Sequence, residues 1–184
     1  MSPGGATDVL PVERDLPGTG WLAIDEGFGA GPGEGGPGEL IDCVGPDFPS
    51  DDEILESAGT PHYVRPPGRL LHGVAVLAGT DDAADRAEAI LSGRAFAECL
   101  GRSVALDLSD PDLQAELVEV DVADGPFGAR VRFTGASPAG VRPVFLDVVC
   151  LRRGRAVGLL WFADTPEPFP ADDLAGVVAR IRAR

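Results

Sequence analysis

The sequence predicts an α+β fold: a mostly antiparallel sheet covered by helices and loops on both faces, closed by a C-terminal helix. Three observations carry that expectation. Two segments, Leu70 to Ala78 and Ala156 to Ala163, are apolar at odd and even positions alike, as strands buried on both sides must be. The run Val144 to Leu151 joins the second of them through Arg152-Arg153-Gly154-Arg155, a hairpin connection. The last fourteen residues, ADDLAGVVARIRAR, place Leu174, Val177, Val178 and Ile181 on one helical face.

Taken in order, residues 1–15 are polar and punctuated by Pro and Gly, and a disordered N-terminal segment is expected there, ahead of a single domain over 16–184. After the turn-like LPGTG, Trp21 to Ile24 reads as a first short strand. A glycine-rich stretch at 27–38, GFGAGPGEGGPG, offers no side chains to pack and is expected to be a mobile loop. Ser50-Asp51-Asp52-Glu53 has the spacing of a capping box, so a short helix is expected over DDEILES. Tyr63 to Arg65 and Leu70 to Ala78 follow as strands. Thr80 can cap a helix over DDAADRAEAILS, with Asp81, Asp82 and Asp85 suited to its positive end and Gly93 to its termination. A second turn, RAFAECL, carries Cys99, and strands at about Ala115 to Val122 and Arg130 to Thr134 lead into the final hairpin.

Composition narrows the function classes. Thirty acidic against fifteen basic residues give a formal net charge of −15, a field that repels phosphates and anionic lipids. Nucleic acid and membrane surfaces are therefore poor partners. The excess is local: thirteen acids lie between Asp8 and Glu56 against the single Arg14. No run of eighteen apolar residues exists, and the N-terminus shows neither a basic n-region nor an apolar h-region, so neither a membrane span nor a signal peptide is expected. Cys43, Cys99 and Cys150 include no CxxC pair and have no histidine at ligand spacing, so no metal is expected; an odd count allows at most one disulfide plus a free thiol.

No catalytic or cofactor motif emerges. Gly31 to Gly36 matches GxGxxG in form, but Pro32 and Glu34 intervene and no helix opens there, so no dinucleotide or other cofactor is expected. No serine sits in a GxSxG elbow. Asp107, Asp110, Asp112 and Glu116 lack the spacing and glycine of a calcium loop. Two residues stand out as acid or base candidates. His72 lies within a buried strand, either as a neutral core histidine or as a base or ligand contact in a cleft. Asp147 shares a face with Phe145 and Val149, where burial demands an Arg or His partner unless the carboxyl lines a pocket. Arg130 and Arg132 share a strand face and could clamp an anion or pair with Glu119 and Asp121 across the sheet. With Tyr63, these four complete the candidate ligand-binding set.

The order of landmarks, DLPGTGW, then IDCVG, VAVLAG entering an alanine-rich helix that closes on AECL, then DVVCLRRGRAVGLLWF and ADDLAGVVARIRAR, resembles actinobacterial secreted proteins and lipoproteins. That group includes the extracellular sensor domains of some serine/threonine kinases; the chain is also similar to the wider PsbP-like fold, and the resemblance spans roughly residues 15 to 184. It implies a sheet with helices on both faces, a disulfide between Cys43 and Cys99, and a non-catalytic extracytoplasmic domain that binds a small molecule or protein. The chain shows no lipobox cysteine, so its compartment is extracytoplasmic if a leader is trimmed and cytoplasmic as written. Two other readings fit the residues. One is a small cytoplasmic enzyme or accessory protein of secondary metabolism, acting on an apolar substrate through Asp147 or His72. The other is an acidic interaction module using the 27–38 loop.

Overall fold

The structure, a computed structural model, describes residues 4–24, 43, 45–99, 114–122, 129–137 and 140–184, with backbone alone for 114–122, 129–137 and 140–144. Among the described residues one sheet holds eight strands: β1 (Leu22–Ile24), β2 (Ile54–Gly59), β3 (His62–Arg65), β4 (Arg69–Ala78), β5 (Gln114–Val122), β6 (Ala129–Ser137), β7 (Gly140–Arg153) and β8 (Ala156–Asp164). Their order is β1-β3-β4-β8-β7-β6-β5, with β2 also on β4, and every pairing is antiparallel. Strands β2 and β3 lie end to end along one edge of β4. The Thr60-Pro61 break between them is bridged by Thr60, whose N–H donates to the Gly73 carbonyl at 2.8 Å and whose hydroxyl accepts the Gly73 N–H at 3.0 Å.

The two strands read as apolar on both faces are covered on both faces. On the front, Leu71, Ala75, Val149, Leu151, Leu160 and Phe162 form one core with Leu174, Val177, Val178 and Ile181 of the C-terminal helix α2 (Ala171–Arg182). On the back, Val157 and Ala78 pack against Ala83, Ala84 and Ala87 of helix α1 (Asp81–Leu91). Thr80 caps α1, its Oγ1 accepting the Ala83 N–H at 3.1 Å. Arg152 of β7 reaches across to Asp85 and Glu88, fixing α1 over this end of the sheet. The β7–β8 connection is the hairpin expected, and its turn has two residues, with Gly154 at φ 59°, a left-handed conformation that glycine adopts without cost.

Two expectations need correction. Residues 4–15 are not a disordered segment. Turns at Ala6–Val9 and Glu13–Asp15 bring Ala6, Val9 and Leu10 into the front core at 3% exposure or less. Glycines make room for them: a Cβ on Gly158 would stand 2.8 Å from Val9 Cγ2, and one on Gly73 3.1 Å from Leu10 Cδ2. The C-terminal helix holds this strap, Arg180 Nε donating to the Asp15 carbonyl at 2.9 Å and Arg184 pairing with the buried Asp15 carboxylate at 3.4 Å. The second correction concerns DDEILES. Its cap forms, Glu53 Oε2 accepting the Ser50 N–H at 3.1 Å and the Ser50 hydroxyl at 3.0 Å, but the helix stops after one 3-10 turn, Asp51–Glu53. Ile54 to Gly59 pair with β4 instead, because an isolated seven-residue helix is marginal and an open sheet edge satisfies the same backbone groups. The 27–38 stretch lies outside the described residues.

Candidate functional site

Strand register sorts the sequence candidates onto opposite faces. On the front, one row of directly opposed residues runs Ala23, Tyr63, Leu71, Phe162, Asp147, Arg130, Asp121. Tyr63 and Asp147, 7% and 4% exposed, are thus in the same row but separated by two core residues, beneath α2 and the N-terminal strap. Arg130 is the register partner of Asp147, and Arg132 is the partner of Phe145; Asp121 and Glu119 take the positions opposite the two arginines on β5. The bland expectation for Asp147, a basic residue on the neighbouring strand, therefore has its position filled.

His72 belongs to the other face. There the row runs Ile24 and His62, then His72, Trp161, Val148 and Ala129. The rings of His62 and His72 stack with centroids 4.2 Å apart and planes 8° from parallel. Trp161 leans on His72 at 5.2 Å and 34°. His72 is 8% exposed, and its Nδ1 lies 3.4 Å from Thr60 Oγ1. Burial, then the neighbouring His62, pulls the His72 imidazole down to about 4, so it is neutral at physiological pH; burial lowers His62 as well. Among the described residues the buried Trp161 Nε1–H meets no acceptor. Val148 and Leu159, both 2% exposed, extend the apolar back face beside it.

Sequence reasoning singled out His72 but missed His62 and Trp161. Each looks unremarkable within its own strand, and only the pairing of β3, β4 and β8 brings the three rings together. It also grouped His72 with Tyr63, Arg130, Arg132 and Asp147, which the sheet separates. His72 and Asp147 cannot act as an acid and base pair on one substrate, since the sheet stands between them. Among the described residues no group of three His, Cys, Asp or Glu side chains is placed to hold a metal ion.

The cysteines divide as the resemblance implied. Cys43 and Cys99 form a disulfide with Cα atoms 5.4 Å apart, tying residue 43 to the helical turn at 94–99. Cys150 is a free thiol on the back face, pushed up to about 12 by burial and by Glu88, and so stays protonated at neutral pH.

No protein-family model matches the sequence, and no curated protein matches it. Among solved structures the chain is similar to the extracellular domain of PknH from Mycobacterium tuberculosis, with a TM-score of 0.47, 10% identity, and coverage of 95% of this chain and 98% of that one. It is also similar to LpqN, involved in cell envelope biogenesis of the same organism, with a TM-score of 0.26, 13% identity, and coverage of 73% and 77%. Both fall below a TM-score of 0.5 and carry no functional argument. No helix among the described residues is long and apolar enough to cross a membrane.

Proposed function

We propose that this chain is a non-catalytic extracytoplasmic domain of the sensor type that works by binding a small molecule or a protein. The Cys43–Cys99 disulfide carries the reading. Such bonds persist in oxidising compartments and are removed by the thiol pools of the cytosol. Closing a loop across 56 residues of sequence restricts the unfolded chain, an effect on the order of 4 kcal/mol. A domain that rests on that bond is suited to life outside the cytoplasm.

The test is localisation in the source cells. Fractionation, with protease added to intact cells, is expected to find the chain outside the cytoplasmic membrane and open to cleavage. Recovery of the whole population from the cytosol, protected until the cells are lysed, would overturn the reading.

A further inference from the structure

We propose that the groove between the N-terminal strap, the end of β7 and the last turn of α2 binds a free α-amino acid, taking its carboxylate on Arg153 and Arg182 and its ammonium group on Asp8. The inference rests on the reading of the chain as a binding domain and names the site and the ligand chemistry.

Three observations lead there. First, there is room. A groove of about 100 Å³ opens beside the strap, lined by Asp8 and Val9 of the strap, Leu151 and Arg153 of β7, and Ile181 and Arg182 of α2. That is several times the space one water molecule needs. Strand alternation sets the arginine there: Arg153 follows Val149 and Leu151 of the front core, while Arg152 turns to Asp85 and Glu88 on the back.

Second, the charges that line the groove are unpaired. Among the described residues, Arg14, Arg153 and Arg182 are the arginines whose side chains reach neither a carboxylate nor a carbonyl. Two of these three share this one groove. Asp8 shares it with them and is in no ion pair among the described residues. In a chain with 30 acids and 15 arginines, an arginine without a carboxylate is the less expected case. The negative end of α2 accounts for a base at 182, but not for Arg153 or Asp8.

Third, the signs and the floor select the ligand. Two guanidinium groups suit a carboxylate, which accepts their N–H donors in pairs, and a lone carboxylate beside them suits an ammonium group. Val9, Leu151 and Ile181 give the groove an apolar floor, each 2% exposed, so the side chain that fits is short and aliphatic. A net charge of −15 repels a simple anion at long range, whereas a zwitterion has no net charge to repel. Both arginines are exposed, so each contact is screened, and a Kd on the order of 1 mM is expected.

Glycine, L-alanine and L-valine serve as probes of the purified full-length chain, followed by calorimetry and by the methyl resonances of Val9, Leu151 and Ile181. Saturable binding of at least one is expected, weaker as salt is added, with shifts at those methyls. Propionate keeps the carboxylate alone and ethylamine the ammonium alone, and each is expected to bind at least about tenfold more weakly. Arg153→Gln and Arg182→Gln are each expected to weaken amino-acid binding about tenfold. Asp8→Asn is expected to weaken the amino acid while leaving propionate bound at least as well. Urea midpoints confirm that the variants fold. Failure of all three amino acids to bind saturably, propionate binding as tightly as alanine, or unchanged affinity in both arginine variants overturns the proposal. None of these results touches the disulfide or the compartment, so the site can fail while the binding-domain reading stands.

Discussion

His62 and His72 stack face to face across β3 and β4, 4.2 Å between ring centroids and 8° between planes. Burial of His72, and then its neighbour His62, makes stability depend on pH. His72 titrates at about 4 in the folded chain against 6.5 in the unfolded one. As pH falls below 6.5 the unfolded state takes up the proton first, so stability is fully present above 6.5 and is lost progressively down to about pH 4. The difference amounts to about 3 kcal/mol. Urea unfolding at pH 7 and pH 4.5 is expected to show that fall, and His72→Phe is expected to remove most of it. An unchanged slope in the variant would assign the acid sensitivity to the carboxylates instead.

Gly158 lies under the N-terminal strap, where a Cβ would stand 2.8 Å from Val9 Cγ2 and 3.5 Å from Ala75 Cβ. Gly158→Ala is expected to cost about 1–3 kcal/mol through overpacking. Removal of residues 1–16 uncovers the front core and is expected to cost more. Thermal midpoints of the two variants check both. A truncated chain as stable as the full one would show that the strap adds nothing to the core.

Asp164, 8% exposed, holds Arg69 Nε at 2.8 Å, and its other oxygen accepts the Thr165 N–H at 2.8 Å. Arg69 also reaches Asp173 of α2 at 3.4 Å and lies over the Phe169 ring at 5.4 Å, so this pair joins strand β4 to the start of the C-terminal helix. Asp164→Ala leaves a partly buried guanidinium short of its nearest carboxylate and is expected to cost about 2 kcal/mol. Asp173→Ala, at the more exposed partner, is expected to stay within about 0.5 kcal/mol of wild type. Equal losses in the two would contradict the ranking.

The fold was largely legible in the sequence because its central elements announce themselves locally. Strands β4 and β8 carry apolar residues on both faces, α1 has Thr80 before it and Gly93 after it, and α2 has a clean apolar stripe. The strap was not legible, since its few buried residues, Ala6, Val9 and Leu10, are scattered among Pro, Gly and acids, and only the glycine notches on β4 and β8 explain where they go. Strand β2 was hidden by a genuine cap at Ser50, a local signal that the neighbouring sheet edge outweighed. The candidate site was legible in one residue of three. His72 stood out as a histidine in a buried strand, whereas His62 and Trp161 join it only through a register that links distant parts of the chain.

The central claim, an extracytoplasmic domain stapled by Cys43 and Cys99, is tested most directly by counting thiols. Protein secreted into an oxidising compartment, denatured without reductant and alkylated, is expected to carry one label, on Cys150, with intact mass two hydrogens below that of the fully reduced chain. Reduction is then expected to expose two more sites and lower the urea midpoint, as Cys43→Ser does. Three labelled cysteines in the unreduced secreted protein, with no change of stability on reduction, would contradict the account.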